Sequence, residues 1–405
     1  MAKKNFFCAI DIGTYSIKGI LALREKGKNN LEILNYTQIP SFGVRHGEIV
    51  KPEVVEEKLA ALKQNLEEKS GSKINQIFLN ISGPNLSVEE AKSSLTISRP
   101  NKIVSQEEID RILEEIENFN FFANKEVLEI LTKEFILDGK LGIKNPLNLE
   151  GQHLEANCKV LCCFKPILSN IERLFSNENL EIQIIPTPLA SVRSILSPED
   201  AEIGTIIIDL GAGQTTISFV KEGELFHFVT IPNGLSEITN ELAIILRTDI
   251  KTAEEIKKEY SDLSLKDNIK NNKKTKEKDK IFVSEKSLLF SKKTIQKITQ
   301  NHLEKIFSTL QKEIKKISKN NNFPGGIILT GGGAKIPGIL SFTKSYFKLS
   351  VRIGKNFDFY NDLDVEYLNC LGILLKGIDS LEVEPEIRDK GIFRKIKRVF
   401  APFLP

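Results

Sequence analysis

Apolar positions along this chain fall into two kinds of run. Short, unbroken stretches of branched residues stop at a turn, as buried strands do, and longer stretches repeat every three or four residues, as helices do. Ile206 to Ile208 lead into Asp209, the turn Leu210-Gly211-Ala212-Gly213 follows, and Thr215 to Phe219 resumes a strand pattern. The arrangement stands once more near the start, where Cys8 to Ile10 lead into Asp11, Gly13 lies in the turn, and the run continues to Leu21. Two β-hairpins are predicted, each with an aspartate at the end of its first strand. Further strands are expected at Leu31 to Ile39, Ile74 to Ile81, Leu95 to Ser98 (on a sheet edge), Val127 to Leu137, Leu154 to Phe164, Ile182 to Ile185, Leu225 to Ile231 and from Ile327. Helices are expected over Val54 to Lys69, Gln106 to Glu117 behind a capping box at Ser105, Pro166 to Leu180, from Pro186, Leu235 to Leu246, from an N-cap at Thr252, Lys293 to Ile317, and Val365 to Leu375. The class is α/β.

Composition narrows the field. A chain of 405 residues holds two to four domains, and an apolar share of 40% is ordinary for a globular protein. A formal net charge of +3 is too small to argue for nucleic acid. The cysteines, Cys8, Cys158, Cys162, Cys163 and Cys370, form no framework and read as reduced thiols of a cytosolic protein. The four histidines are scattered singly and suggest no zinc site. Lys3 and Lys4 precede an apolar run that Asp11 interrupts, so the start does not read as a signal peptide. No stretch reaches the roughly 18 apolar residues of a bilayer span.

The hairpins carry the candidate chemistry. Gly211 and Gly213 are expected to take positive φ and to bring bare N–H groups close to an anion. Asp209, and Asp11 in the other copy, are placed to hold a hard cation such as Mg²⁺, directly or through water. Around them Gly13, Thr14, Tyr15, Ser16, Gly211, Ala212, Gly213, Gln214 and Thr215 are candidate phosphate ligands. Lys18 either reaches a phosphate or covers the strand surface. A third element, Ile327 to Ala334, sets Gly331, Gly332 and Gly333 after a buried strand, followed by a helix with Pro337 in its first turn. Those glycines either receive a flat base or sugar or form a flexible connection.

Together these segments resemble the actin/Hsp70/hexokinase superfamily and, within it, the FtsA family of bacterial cell-division actin homologues. A strand leaving Ser82-Gly83, the acidic helix after Ser105, and Asn145-Pro146, Glu150-Gly151 and Leu154-Glu155 in that order match the family's inserted α+β subdomain. Gly234, Ile238-Thr239 and Ala253-Glu254 to Lys257 follow its adenosine-pocket order, with Asn233 in place of a first glycine, Glu241 in place of an aspartate, and Ser261 near a missing glycine. The resemblance implies a two-lobed actin-like ATPase fold, with first-lobe core at 1–83 and 166–200 and the inserted subdomain at 84–165. It puts second-lobe core at 201–237 and 322–378, and an upper subdomain at 238–321. It implies ATP and Mg²⁺, with Gly234, Lys257, Gly331, Gly332 and Gly333 around adenosine; read by itself, Lys257 is equally a solvated helix lysine. It further implies self-assembly into protofilaments, later division proteins as partners of the inserted subdomain, and the C-terminal tail of FtsZ as a partner of the second lobe. The arginine common in the family's long helix is replaced by Asn301 or His302. At most a slow ATPase is expected, since no carboxylate base for an acceptor substrate is evident.

Three segments stand apart. Residues 262–280 are Lys-rich and read as a surface loop. Residues 379–390 are an acidic linker. In 391–405, Ile392, Phe393, Ile396, Val399, Phe400, Phe403 and Leu404 fall on one broad helical face, and Arg394, Lys395, Lys397 and Arg398 on the other. That is the composition of an interfacial helix on anionic lipid, and the FtsA family ends the same way; the alternative is a helix docked on protein. The implied location is the cytoplasmic face of the inner membrane at the division site. A type IV pilus actin-like assembly protein and a small-molecule kinase of the superfamily are the competing readings.

Overall fold

The computed structural model describes residues 4–25, 31–118, 124–174, 180–264, 279–283, 286–318, 323–356 and 363–382. The amphipathic stretch 391–405, most of the acidic linker and most of the Lys-rich run lie outside the described residues. The chain divides into two compact units, Met1–Pro84 with Leu180–Leu374, and Asn85–Asn179 with Leu375–Pro405.

The larger unit begins with β1 (Lys4–Ile12), β2 (Ser16–Glu25), β3 (Leu31–Pro40), the short pair β4 (Val44–Arg45) and β5 (Glu48–Ile49), α1 (Pro52–Ser70) and β6 (Gln76–Ile81). Proline at its start and Gly71 in the left-handed conformation at its end bound α1, which buries Val55, Leu59, Leu62 and Leu66. In the smaller unit come β7 (Leu86–Thr96), α2 (Gln106–Glu117), β8 (Lys125–Leu137), β9 (Lys140–Ile143), β10 (His153–Phe164) and α3 (Lys165–Arg173). Its sheet has the order β7-β10-β8-β9, and Ile109, Ile112, Leu113 and Ile116 of α2 enter the core that this sheet provides. The Glu108 carboxylate accepts from Ser105 N at 2.9 Å, the return half of the expected capping box.

The larger unit then resumes with β11 (Glu181–Pro186), α4 (Thr187–Ile195), α5 (Pro198–Ile203), β12 (Thr205–Leu210), β13 (Thr215–Lys221), β14 (Glu224–Ile231), α6 (Ser236–Leu246) and α7 (Ile250–Tyr260). It continues through β15 (Asp279–Val283), β16 (Lys286–Phe290), α8 (Lys292–Ile317), β17 (Ile327–Thr330), a 3₁₀ turn (Gly332–Lys335), α9 (Ile339–Phe347), β18 (Val351–Ile353) and the first half of α10 (Leu368–Glu382), whose residues from Leu375 on belong to the smaller unit.

Its two main sheets share one topology. The first runs β3-β2-β1-β6-β11 and the second β14-β13-β12-β17-β18. In each, the hairpin strands pair antiparallel on one side of the opening strand, and parallel strands extend the other side. Parallel strands buried on both faces explain the unbroken runs Ile206 to Ile208 and Ile327 to Leu329. This is the predicted α/β architecture of two like lobes with a subdomain inserted between β6 and β11.

Three local expectations are corrected. The edge strand in the insertion begins at Leu86, not near Leu95, because its outward positions are polar and hide the run. Asp249, not Thr252, caps α7, its carboxylate accepting from Thr252 N at 2.9 Å. Pro337 precedes α9 instead of lying in its first turn, because Gly338, at φ 80°, stands between them as the N-cap.

In the second lobe the core centres on Phe307, fully buried, with ring centroids 5.0 Å from Phe347, 5.5 Å from Tyr346 and 5.7 Å from Phe342. Phe307→Ala is expected to lower unfolding free energy by about 3–5 kcal/mol. Urea unfolding followed by circular dichroism measures it, and a loss under 1 kcal/mol would mean that this aromatic cluster is not the centre of the core.

Candidate functional site

Both hairpins close in the same way. In the first, Asp11 lies opposite Lys18 and Gly13 N donates to Ser16 O at 3.2 Å. In the second, Asp209 lies opposite Thr216 and Gly211 N donates to Gln214 O at 3.0 Å. Each aspartate stands where its strand meets a parallel neighbour carrying a buried polar residue. Asn80 of β6 accepts from Ile12 N at 2.7 Å, and Thr330 of β17 pairs in register with Asp209. Thr330 Oγ1 is buried without a hydrogen-bond partner.

Both carboxyls are raised, and Asp209 feels the charge of Asp11. Burial pushes the Asp209 carboxyl up to about 6, and the charge of Asp11 adds to the rise; the Asn369 amide, donating to Oδ2 at 2.8 Å, opposes it. Burial likewise raises Asp11, against the pull of Lys18. Lys18 therefore acts electrostatically on both aspartates.

The turns themselves meet. A side chain on Gly213 would overlap Thr14, and Thr14 Oγ1 accepts from Gly47 N at 3.1 Å. His46, in the β4–β5 turn, sets Nδ1 2.7 Å from Gly213 O. A carbonyl only accepts, so Nδ1 carries the proton. The Gln214 amide lies over Gly47, its oxygen buried without a partner. Tyr15 keeps 48% of its surface exposed and meets Lys258 of α7, whose ammonium donates to the phenol oxygen at 2.9 Å and stands 4.7 Å from the ring centre. Ser16 is buried and contributes its carbonyl to the turn.

The second turn is also wired to the start of α6. Leu235 N donates to Gly211 O at 3.0 Å, Ser236 N to Ala212 O at 2.8 Å, and Thr215 Oγ1 to Asn233 O at 2.8 Å. Gly234 packs so closely on Ala212 O that a side chain would collide with it. Lys257 is not a solvated lysine. Its ammonium lies 2.6 Å from Glu254, donates to Thr239 Oγ1 at 2.9 Å and to Leu235 O at 3.4 Å, and burial lowers its pKa.

The glycines differ in what they do. Neither Gly211 nor Gly213 takes the expected positive φ; contact with Gln214 O and with Thr14 requires their lack of a side chain. Gly331 has φ 78° and abuts the Asp209 carboxylate, and Gly333 is wedged against Leu210 and Leu235. A side chain on Gly332 would meet no protein atom within 4 Å. Protein packing therefore explains every glycine of this set except Gly332.

Sequence reading missed Asn80, Asn369, His46 and Lys258, and took Glu254 only as part of the pocket motif, without its ion pair to Lys257. Asn80 does leave a signal, a lone amide inside an apolar strand. Asn369 and His46 leave none, since each acts on a residue more than 150 positions away.

Two family models match the chain: "Cell division protein FtsA" over residues 206–369 and "SHS2 domain inserted in FTSA" over residues 86–162. The chain belongs to the FtsA family. The FtsA of Pseudomonas aeruginosa is 26% identical over 376 residues, covering 92% of this chain and 89% of that one. The FtsA of Borreliella burgdorferi is 26% identical over 408 residues, covering 98% and 95%. Among solved structures, a PilM–PilN type IV pilus biogenesis complex aligns with a TM-score of 0.61 at 14% identity, covering 92% of this chain and 98% of that one. MreB5 of Spiroplasma citri bound to ADP aligns at 0.53 and 14%, covering 95% and 99%. Both structural likenesses concern the fold. The FtsA model spans both Asp209 and Asn369, and the inserted-domain model coincides with the β7–β10 sheet.

The raised Asp209 carboxyl has a direct consequence for stability. The folded state holds its proton up to about pH 6, whereas the unfolded chain releases it near 3.8. Between those values the folded state binds more protons, so its stability falls as pH rises, by at most about 3 kcal/mol. Asp209→Asn, which keeps an acceptor for Asn369, is expected to remove this loss. Urea unfolding of the ligand-free protein at pH 4.5 and pH 8 tests it; equal pH dependence in wild type and variant would contradict the assignment.

Proposed function

We propose that this chain is an ATP-binding, actin-like cell-division protein that polymerises on the inner membrane and tethers FtsZ to it. The observation that carries the nucleotide reading is the pair of opposed hairpins, each with an aspartate whose carboxyl desolvation pushes up, Asp209 further raised by the charge of Asp11. Two carboxylates crowded in this way favour a bound cation. The described residues contain no cluster of three or more His, Cys, Asp or Glu, and a two-carboxylate set suits Mg²⁺, which keeps several waters and takes the rest of its shell from phosphate. Asp11 and Asp209 are the residues to hold it. When bound, Mg²⁺ neutralises charge between phosphate oxygens and the two carboxylates.

Residues 13–16 and 211–215 are assigned to the phosphates, with Lys18 supplying positive potential. The open space at Gly332 supports a base or sugar against the Gly-rich turn, beside Gly331, Gly333, Gly234 and Lys257. Lys257 would have to exchange its bonds to Thr239 or Leu235 for one to ribose. Closure of the lobes around nucleotide would set the contacts of a protofilament. Membership in the FtsA family supports cell division over pilus assembly, and the match to an inserted domain particular to FtsA adds to it. Among the described residues no helix is long and apolar enough to cross a membrane. Residues 391–405 are assigned the anchoring role, with Ile392, Phe393, Ile396, Val399, Phe400, Phe403 and Leu404 in the acyl boundary and Arg394, Lys395, Lys397 and Arg398 at anionic headgroups. The second lobe is assigned the FtsZ tail, and the inserted subdomain the later division proteins.

Two measurements test this reading. Gly332→Val is expected to leave the ligand-free melting temperature within about 2 °C and to weaken ATP binding at least tenfold by calorimetry; unchanged affinity would remove the nucleotide from this turn. Co-sedimentation with anionic liposomes and Mg-ATP compares the full chain with one ending at Glu386. Only the full chain should pellet, and filaments should then appear on the liposomes by electron microscopy. Equal pelleting of the two would refute the anchor.

A further inference from the structure

Adjacent residues in the first turn of α10 touch both hairpins. Asn369 donates through Nδ2 to Asp209 Oδ2 at 2.8 Å, on the second hairpin. The next residue, Cys370, lies with Sγ 3.5 Å from Ala9 O and 3.7 Å from Lys18 O, on the two strands of the first. Asn369 is buried, and its orientation is fixed from behind. Ser191 of α4 donates through Oγ to Asn369 Oδ1 at 2.8 Å and approaches Thr187 O at 3.1 Å. With its oxygen accepting from Ser191, the amide can present only its NH₂ group to Asp209. A side chain on Gly372 would overlap Ala190 O, so α10 and α4 are seated on each other one turn further along.

We propose that Asn369 is the positioning residue for the Asp209 carboxylate, holding Oδ2 so that Oδ1 faces the site, and that Ser191 sets its amide for this task. The inference rests on the reading of Asp209 as a cation ligand. A carboxylate that must orient a cation or its waters needs its rotation fixed, and a donor that cannot itself accept at that atom does so without adding charge. Oδ1 is left on the side of Gly331, whose missing side chain gives it room. Asn369 needs no contact with nucleotide or cation to act in this way. Through Ser191 the same carboxylate is tied to α4, and through Cys370 the helix that holds it is seated on the first hairpin. The position of Asp209 is thereby linked to both lobes.

The test separates this role from ordinary packing by measuring cation dependence. Binding of a fluorescent ADP analogue to the full chain is titrated with Mg²⁺ in excess and again in EDTA, and Mn²⁺ binding to the nucleotide complex is followed by electron paramagnetic resonance. In wild type, Mg²⁺ should tighten nucleotide binding. Asn369→Leu, similar in volume, is expected to lose about 10–100-fold in Mn²⁺ affinity and in the Mg²⁺-dependent gain, with nucleotide affinity in EDTA within twofold of wild type. Ser191→Ala keeps the donor and should lose less, and the double variant should be no worse than Asn369→Leu, because the serine acts through the amide. Equal losses in Mg²⁺ and EDTA would make Asn369 a packing residue and overturn the inference, as would additive losses in the double variant. If wild type itself shows no Mg²⁺ dependence, the cation-site reading falls and takes this inference with it. Should Asn369→Leu not fold, Ser191→Ala alone decides, through the Mg²⁺-to-EDTA affinity ratio.

Discussion

Two carboxylates that repel one another across a poorly solvated gap govern this structure. Asp11 and Asp209 each end the first strand of a sheet, and the two sheets have the same strand order. A buried negative pair is a standing cost in the free protein, and the surrounding groups reduce it without cancelling it. Lys18 lends charge from the opposite strand, and Asn369 lends a hydrogen bond. Apolar packing alone gives no reason for two acids at these positions.

Much of the rest serves to hold the two turns against each other. The β4–β5 turn inserts Gly47 toward Thr14 on one side and His46 toward Gly213 on the other, so a short hairpin of one lobe is hydrogen-bonded to the main turn of the second. Tyr15 and Lys258 make a parallel contact nearer to solvent. These are individually modest interactions, each worth about 1 kcal/mol. Their arrangement matters more than their sum, because all of them break together if the lobes separate. Inside the second lobe, Leu235 and Ser236 donate to the carbonyls of Gly211 and Ala212, so α6 begins on the hairpin it follows.

What could be read from sequence divides along a physical line. Hairpins, helices and the inserted subdomain were legible because strand and helix periods are local, and because Asp-x-Gly with flanking apolar runs occurs twice. The capping box at Ser105 was legible for the same reason, whereas Asp249 displaced Thr252 as a cap, since both residue types satisfy helix N–H groups and local sequence does not rank them. The glycines were found for the wrong reason: Gly211 is required by the close carbonyl of Gln214 in its own turn and Gly213 by Thr14 of a turn about 200 residues away, and neither by its own torsions. Lys257 could not be separated from a surface lysine until α6 brought Thr239 and the Leu235 carbonyl to it. Asn369 and His46 were invisible, because a hydrogen bond between distant segments leaves no periodic trace.

The shared strand order has an evolutionary consequence. Parallel neighbours must be joined by a crossover, and a crossover is the one part of such a sheet whose length the ladder does not dictate. The first sheet accepts a whole domain between its parallel neighbours β6 and β11, and the second carries α6 to α8 with the β15–β16 pair on the way from its edge strand β14 to β17, yet the hairpins beside them close on the same hydrogen bond. Lineages can therefore diversify what each lobe carries by exchanging crossovers, like cartridges on a common frame, while the paired turns stay fixed. Only about a quarter of residues are identical between this chain and its Pseudomonas relative, even though the two align over most of their length. Such drift is what a frame of this kind permits.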